Sequence, residues 1–220
     1  MCAAPRRSRR DGREPSRKPL LRAAVDCFAR LGYQGTTIDR IARDAGVTKG
    51  AVYYHFRDKE QLLFEAVKDH VGEFERQVLA EVTPELDAMA ALRRVVDVCF
   101  FHATVSNHRR FIITLMVEAL DTNPALSVEF RNILRRMRVF LADVVRRGQQ
   151  RGALRHDVSA EAAAAAIAGG IMGAEIQHYQ DREQVDLRAI LDTLVEQLAA
   201  WLAPRGAEAR KASGGGTRTW

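Results

Sequence analysis

The chain has 220 residues, of which 47% are apolar, and it carries a formal net charge of +6. Apolar content at this level supports a hydrophobic core and excludes a chain that is disordered throughout. The excess positive charge lies at one end, because residues 1–60 contain fourteen Lys/Arg and only seven Asp/Glu. A basic excess confined to one part of a chain is expected where that part meets nucleic acid.

The cysteines and the apolar runs indicate the compartment of the protein and whether it has a structural metal or a membrane segment. Cys2, Cys27 and Cys99 are far apart and form no C-x-x-C pair, which predicts a reducing compartment and no structural metal. The longest charge-free apolar run, residues 162–174, is shorter than the roughly 20 residues that a membrane-spanning helix needs. The N-terminus lacks the apolar run of a signal peptide. We therefore expect a cytoplasmic protein without a membrane segment.

Residues 1–16 are predicted to form a disordered basic arm, because they contain two prolines and five arginines and show no periodicity. Two roles for this arm remain open. It could lie along a DNA groove and attract phosphates, or it could be a solvated tail.

The first helix is predicted from about residue 17 to residue 31. Pro19 falls in its first turn, where the missing N–H costs nothing. An inward apolar stripe follows, formed by Leu20, Leu21, Ala24, Val25, Phe28 and Leu31. Gly32 is expected to end the helix. Thr36 is expected to cap the next helix, with Asp39 three residues later as in a capping box.

Two short helices are predicted next. The first is marked by apolar residues at helical spacing, which are Ile38, Ile41, Ala42 and Ala45. Gly46 ends it, and the Thr48 hydroxyl can cap a second helix that runs from Lys49 to about Phe56. Two short helices joined by a tight glycine-containing turn form a helix-turn-helix, which completes an N-terminal three-helix domain at residues 17–63.

The second of these helices carries an unusual surface. Only Val52 and Phe56, four residues apart, can anchor it inward, while its other positions offer a cation, two phenol hydroxyls and an imidazole. Such a surface can donate hydrogen bonds to phosphate oxygens and reach base edges in a major groove. The alternative is a solvated helix, since helix-turn-helix geometry also occurs in proteins that bind no DNA.

The remainder of the chain is helical in pattern. Asp58 and Gln61 can cap a long fourth helix that keeps an apolar period to about Ala80. Because this helix follows the DNA-facing helix directly, a tilt of its far end would move that surface. Five more helices are predicted at about 85–105, 108–121, 124–151, 159–180 and 186–203. The fold class is thus all-α with about nine helices: the helix-turn-helix domain, a C-terminal helical bundle at 64–203, and a Gly/Ser-rich flexible tail at 204–220.

Bulky apolar residues in this bundle suggest a pocket. A bundle rich in Met and Phe with a few polar side chains suits an adaptable, mostly apolar binding site. The candidate lining residues are Phe100, His102, Phe111, Met116, Met137, Phe140, Met172 and Gln177. We expect an elongated hydrophobic effector such as an acyl derivative or an aromatic compound. For any one of these residues, simple core packing is the alternative.

Small residues on the eighth helix suggest a dimer interface. Ala162, Ala166, Gly169 and Gly173 share one stripe, and glycine within a helix costs about 1 kcal/mol relative to alanine, so a closely approaching neighbour is expected. The ninth helix adds a wide apolar band. The candidate interface residues are Gly169, Gly173, Leu191, Leu194, Leu198 and Trp201. Intramolecular packing of these helices is the alternative.

No catalytic constellation is present in the sequence. The six histidines are scattered, and no nucleophile elbow and no glycine loop after a strand can be found. We therefore expect neither an enzyme nor a bound cofactor.

The stretch from Leu20 to Leu63 closely resembles the N-terminal domain of tetracycline-repressor-type (TetR family) transcriptional regulators. The match is gapless and includes the core G-V-T-K-G-x-x-Y-x-H-F at residues 46–56, but it covers only about the first third of the chain. The resemblance implies an all-helical homodimer that represses promoters through a palindromic operator. It also implies that the operator is released when a small molecule enters the C-terminal domain.

The same resemblance implies DNA contacts from nine residues: Thr37, Thr48, Lys49, Gly50, Ala51, Tyr53, Tyr54, His55 and Lys59. Thr37, Tyr53, His55 and Lys59 would contact the DNA backbone, Thr48 and Lys49 would meet DNA at the helix start, and Gly50, Ala51 and Tyr54 would face bases. Gly50 and Ala51 offer no hydrogen bonds to base edges, so specificity should depend on Lys49, Tyr54 and DNA shape. The alternative function is a DNA-coating or architectural protein without an effector.

Overall fold

The computed structural model describes residues 17–205. Within this range it contains nine helices and no strand, which confirms the predicted all-α fold. The helices are α1 (Arg17–Gly35), α2 (Ile38–Asp44), α3 (Lys49–His55), α4 (Lys59–Glu81), α5 (Ala88–Val105), α6 (His108–Thr122), α7 (Pro124–Gln150), α8 (Ala160–Gln180) and α9 (Leu187–Leu202). The predicted basic arm and nearly all of the predicted tail lie outside the described residues.

The chain divides into two compact units, and the division falls inside α4, between Asp69 and His70. The first unit contains the helix-turn-helix, and the second contains α5 to α9. The domain division between residues 63 and 64 that the sequence suggests stays a prediction.

The end of α1 shows how the helix-turn-helix unit is closed. Gly32, the predicted end of the helix, adopts φ 71°, a left-handed conformation that glycine tolerates at little cost. The chain then continues in a short further turn to Gly35. The apolar stripe of α1 is buried as predicted as far as Phe28, with Leu20, Ala24 and Phe28 fully shielded from solvent. Leu31 was wrongly placed in this stripe, because it is 43% exposed next to the break in the helix at Gly32.

The predicted cap of α2 was wrong by one residue. Thr37 is the N-cap, and its hydroxyl accepts a hydrogen bond from the Arg40 backbone N–H at 3.2 Å. Thr36 is fully buried instead, and its hydroxyl lies 2.7 Å from the Gly32 carbonyl oxygen and 3.2 Å from that of Cys27. Thr36 therefore satisfies carbonyl groups of α1 rather than N–H groups of α2.

The second unit is a helical bundle around one hydrophobic core. The fully buried large side chains of this core come from four helices and the α7–α8 connection, and they include Leu92, Val96, Leu141, Val145, Leu154, Ile167, Leu191 and Leu202. Four helices begin at a side chain that accepts a hydrogen bond from the backbone N–H three residues on; these caps are Asp87, Asn123, Ser159 and Asp186. Local capping therefore fixes the helix starts, and apolar burial fixes the packing.

Gly148 on α7 marks the tightest approach in this core. A Cβ atom at this position would lie 2.6 Å from Ala88 Cβ and 2.6 Å from Leu154 Cδ1. Such distances are far below van der Waals contact, so any larger residue must displace α5 or the chain after α7.

We expect Gly148→Ala to lower the free energy of unfolding by about 2 kcal/mol through overpacking. Urea unfolding followed by circular dichroism measures this change. Gly72→Ala on α4 is the matched control, because the added methyl group would meet only the flexible Arg76 guanidinium at 3.5 Å. The control should be neutral or stabilising by up to about 1 kcal/mol. Equal effects of the two substitutions would contradict the packing described for Gly148.

Candidate functional site

Helix α3 is anchored by the two residues that the sequence singles out. Val52 and Phe56 are each 1% exposed, and the Arg17 guanidinium lies 5.3 Å from the centre of the Phe56 ring. The Thr48 hydroxyl accepts a hydrogen bond from the Ala51 backbone N–H at 3.2 Å, which confirms Thr48 as the N-cap. The seven-residue helix is therefore held from one side only, and its other side is open to solvent.

The residues proposed to contact DNA lie largely on this open side. Thr37, Thr48, Lys49 and Gly50 are exposed, and Tyr53 and Tyr54 are 48% and 70% exposed. Ala51, His55 and Lys59 are partly exposed. Two adjacent exposed tyrosines beside a lysine give this side aromatic, hydroxyl and cationic groups that a partner can contact.

Lys49 is exposed but not free of partners. Its Nζ lies 2.7 Å from Asp39 Oδ2, and the hydrogen bond to this carboxylate raises the pKa of Lys49. Both side chains are more than half exposed, at 51% and 57%. An exposed ion pair of this kind adds little stability, so the ammonium group can exchange the carboxylate for another anion.

Lys59 has an internal role that sequence reasoning missed. Its ammonium group donates hydrogen bonds to the carbonyl oxygens of Tyr33 (2.9 Å) and Thr36 (3.0 Å), and it lies 4.2 Å from the centre of the Tyr33 ring. Lys59 thus ties the first turn of α4 to the α1–α2 connection. A contact between Lys59 and DNA stays a prediction, and it would have to use the one remaining N–H donor.

The second unit contains a cavity of about 260 Å³ that is bounded by α4 to α8. Its lining residues are His70, Val71, Phe74, Glu75, Val78, Leu79, His102, Arg109, Ile112, Ile113, Met116, Ile133, Leu134, Arg136, Met137, Phe140 and Met172. Most of this wall is aliphatic, aromatic or thioether. Its polar residues are two histidines, His70 and His102, and three charged residues, Glu75, Arg109 and Arg136.

Five of the residues predicted for the pocket line this cavity: His102, Met116, Met137, Phe140 and Met172. The other three are elsewhere. The Phe100 ring packs against the core beneath the Arg188 guanidinium, Phe111 is partly exposed outside the lining, and Gln177 is exposed with its amide directed to the Gly173 carbonyl oxygen.

The wall also contains residues that were not predicted for it. His70 and Phe74 belong to the inward stripe of α4, and Arg109 lies at the start of α6. The helical spacing of His70 and Phe74 was the available signal, because a histidine within an apolar stripe faces the interior of the fold.

One lining residue, Arg109, belongs to a buried ion pair. Arg109 Nε and Nη2 lie 3.1–3.2 Å from the carboxylate oxygens of Glu175, which is fully buried. Burial disfavours the charge of Arg109, but the carboxylate outweighs burial and raises the pKa of the guanidinium above its usual range. The same guanidinium lies 5.1 Å from the centre of the Phe74 ring. The pair therefore links α6 and α8 and also contacts α4.

The surroundings of both lining histidines disfavour the protonated form, which lowers their pKa. Burial lowers the pKa of His70 from 6.5 to about 4, and the positive charges that His108, His102 and Arg109 can carry add to this effect, while Glu73 opposes it. Burial also lowers the pKa of His102. The His70 ring packs edge to face against the rings of His108 and His102, with centroid distances of 5.2 and 6.3 Å.

The candidate dimer residues divide into two groups. An added Cβ at Gly169 or Gly173 would meet nothing within 4 Å, and Trp201 is 39% exposed, so these three positions leave room for a neighbour. Leu191 and Leu198 are 0% and 4% exposed and lie in the core of the protomer, so the structure corrects their predicted placement at an interface.

Leu194 has an intramolecular partner, since its Cδ1 would lie 2.9 Å from a Cβ at Gly170. The glycine that α9 approaches closely is therefore Gly170, and not either glycine of the predicted stripe.

Two classes of feature are absent from the part of the chain that the structure describes. Across residues 17–205, no group of His, Cys, Asp or Glu side chains is arranged to hold a metal ion. No helix in the same range is long and apolar enough to cross a membrane.

Comparison with known proteins agrees with this geometry. Residues 20–66 match the family model described as bacterial regulatory proteins of the tetR family, and residues 88–194 match the model of the tetracyclin repressor-like C-terminal domain. The fatty acid metabolism regulator protein of Bacillus subtilis is 24% identical over 188 residues, which is 86% of this chain and 96% of that protein.

Two solved structures share the fold. A transcriptional regulator from Saccharomonospora viridis in complex with choline has a TM-score of 0.79 at 23% identity, over 88% of this chain and 100% of the other. The regulator FadR from Bacillus subtilis in complex with stearoyl-CoA has a TM-score of 0.74 at 23% identity, over 84% and 98% of the two chains.

An exposed helix-turn-helix surface on an all-helical chain, together with these matches, defines a DNA-binding transcriptional regulator and not an enzyme. The chain belongs to the TetR family.

The low pKa of His70 predicts a specific loss of stability in acid. Unfolded His70 takes up a proton below about pH 6.5, whereas folded His70 resists protonation down to about pH 4, so the free energy of unfolding falls as the pH is lowered from 7 to 5. His70 should account for about 2 kcal/mol of this fall.

Urea unfolding of wild type and His70→Phe at pH 7, 6 and 5 measures this contribution. His70→Phe should lose about 2 kcal/mol less than wild type between pH 7 and 5. His156→Phe, which changes an exposed histidine, should behave as wild type. Parallel pH profiles for wild type and His70→Phe would contradict the assignment.

Proposed function

We propose that this protein is a cytoplasmic repressor that binds a palindromic operator as a homodimer and is released by a small, largely hydrophobic effector. The observation that supports this most is the continuity of α4. The helix begins at Lys59, directly after α3, and its later residues His70, Val71, Phe74 and Val78 line the cavity. A molecule that enters the cavity therefore contacts the helix that follows the DNA-facing element.

DNA recognition in this proposal depends on the open side of α3. Lys49 would exchange Asp39 for a phosphate, and the Thr37 and Tyr53 hydroxyls would add neutral hydrogen bonds to the backbone. Tyr54, the most exposed aromatic side chain of α3 at 70%, would reach base edges next to Gly50 and Ala51. Since the side chains of Gly50 and Ala51 cannot form hydrogen bonds with base edges, DNA shape would contribute to specificity.

An effector is proposed because the apolar cavity is otherwise unexplained. Its wall is mainly Met, Ile, Leu, Val and Phe side chains, and burial of apolar ligand surface against such a wall is favourable by roughly 25 cal/mol per Å². Among proteins of the same fold, one was crystallised with stearoyl-CoA and another with choline, so the fold accommodates ligands of different polarity. The lining of this cavity favours the apolar kind.

The dimer is proposed to form through α8 and α9. Ala162, Ala166 and Gly169 are exposed along one stripe of α8, and an uncovered stripe of small residues permits close approach of a second helix. Trp201 and the partly exposed Leu194 on α9 would add apolar area. Two copies of each helix would then form a four-helix interface.

The second candidate, an effector-independent DNA-coating protein, predicts different behaviour. Such a protein binds DNA in proportion to its length and without sequence preference. Mapping the genomic fragments that the protein enriches distinguishes the two functions, since a regulator selects a few palindromic sites.

Once the operator sequence is known, gel-shift titration at fixed salt measures operator affinity and tests the proposed DNA surface. We expect Lys49→Ala and Tyr53→Phe each to weaken operator binding by about tenfold, and Lys49→Ala to reduce the salt dependence by about one phosphate contact. Lys68→Ala is the matched control, because Lys68 is an exposed lysine of the same unit on α4. Unchanged affinity of Lys49→Ala would refute the proposed DNA surface.

Sedimentation velocity at micromolar concentration tests the dimer. Wild type should sediment as a dimer, and Gly169→Leu should shift it toward monomer, because the bulky side chain occupies space that is open in the protomer but needed by the second copy. Gly169→Ala is the graded control and should have a smaller effect. A monomeric wild type would contradict the proposal.

A further inference from the structure

The two histidines that line the cavity differ in how their ring nitrogens are used. His102 Nε2 lies 2.8 Å from Gln77 Oε1. The orientation of this amide is fixed, because Gln77 Nε2 donates a hydrogen bond to Glu81 Oε1 at 3.0 Å. Gln77 Oε1 can only accept, so His102 Nε2 carries the proton and is occupied by a protein partner.

His70 has no such partner. Within residues 17–205 no hydrogen bond reaches either nitrogen of its ring, which contacts the histidine rings at 102 and 108 only through their edges or faces. A neutral imidazole offers one N–H donor and one bare nitrogen acceptor. Buried polar groups in folded proteins are nearly always paired with protein or water. An imidazole without a protein partner in a mainly apolar cavity wall can therefore pair with a polar group of a bound molecule.

The charges around the cavity are already balanced. Arg109 is paired with buried Glu175, and Arg136 Nε lies 3.0 Å from Glu75 Oε1. A carboxylate ligand would have to compete with buried Glu175 for Arg109, and an ammonium ligand would have to compete with Arg109 for Glu175. The Arg136–Glu75 pair is 51% and 35% exposed, so it contributes little to this selection. Burial of a charge without its own partner is costly, so this wall disfavours charged ligands.

We propose that the effector is an uncharged, mainly apolar molecule with a hydroxyl group, a phenol or an alcohol, that hydrogen-bonds to His70. A hydroxyl can donate to the bare ring nitrogen or accept from the N–H, so it fits either tautomer of His70. The apolar body of the molecule packs against Met116, Met137 and Met172, whose flexible thioethers adapt to its shape. This inference rests on the proposed function, since it specifies the ligand class of the same cavity.

Calorimetric titration at pH 7.5 with three matched probes tests the ligand class. The probes are 4-heptylphenol, heptylbenzene, which lacks the hydroxyl, and 4-heptylbenzoate, which is anionic. The phenol should bind about tenfold more tightly than the hydrocarbon, as a net hydrogen bond allows. The benzoate should bind most weakly.

Variants then locate the hydroxyl. His70→Phe should bind the phenol and the hydrocarbon with equal affinity, because it keeps a ring but removes both nitrogens. His156→Phe, outside the cavity lining, should retain the tenfold preference. If His70→Phe does not fold, the relative affinities of wild type for the three probes test the ligand class by themselves.

The failure of this inference can be separated from failure of the proposed function. If heptylbenzene binds as tightly as the phenol, or if the benzoate binds most tightly, the inference is overturned while a hydrophobic effector site remains. Retention of the tenfold preference in His70→Phe overturns the assignment to His70. If none of the probes binds and none weakens operator binding, both the inference and the hydrophobic effector are wrong.

Discussion

The buried ion pair between Arg109 and Glu175 is the constraint on which the second unit depends. Two charges removed from water cost several kcal/mol each unless they face one another with good geometry. Here Arg109 Nε and Nη2 both donate hydrogen bonds to the Glu175 carboxylate. The pair therefore holds α6 and α8 at a fixed separation. The guanidinium also covers the Phe74 ring on α4. One interaction thus links three of the helices that line the cavity and neutralises the charge of Arg109.

A neutral wall determines what the cavity can recognise. Because both lining arginines are paired with glutamates, we expect ligand selectivity to depend on apolar contacts and on the two histidines. Of the two histidines, only His70 lacks a hydrogen-bond partner within the described residues. The helix-turn-helix unit differs, because the surface proposed to face DNA holds a cation, Lys49, in an exposed ion pair that can be exchanged. Buried charge thus supports the proposed effector site, and exposed charge supports the proposed DNA surface.

Local signals in the sequence predicted most of the fold, and the failures required tertiary information. The nine helices and the anchoring of α3 by Val52 and Phe56 follow from apolar spacing and caps, which act within a few residues. Thr36 and Thr37 both satisfy the capping pattern, and only burial against α1 separates them.

The candidate sites depended even more on contacts between distant residues. Phe100 and Phe140 look alike in sequence, but only Phe140 faces the cavity. The role of Lys59 depends on carbonyl groups more than twenty residues earlier in the chain. Leu191 and Leu198 show the same limit, because an apolar stripe does not reveal whether it packs within one chain or between two.

The central claim is that the cavity and the DNA surface are coupled, and coupling between two sites must be reciprocal. The most direct measurement is the dissociation constant of a cavity ligand in the presence and absence of saturating operator DNA. The account predicts that operator weakens ligand binding about 5- to 150-fold, by the same factor as the ligand weakens operator binding. Equal ligand affinities with and without operator would contradict it.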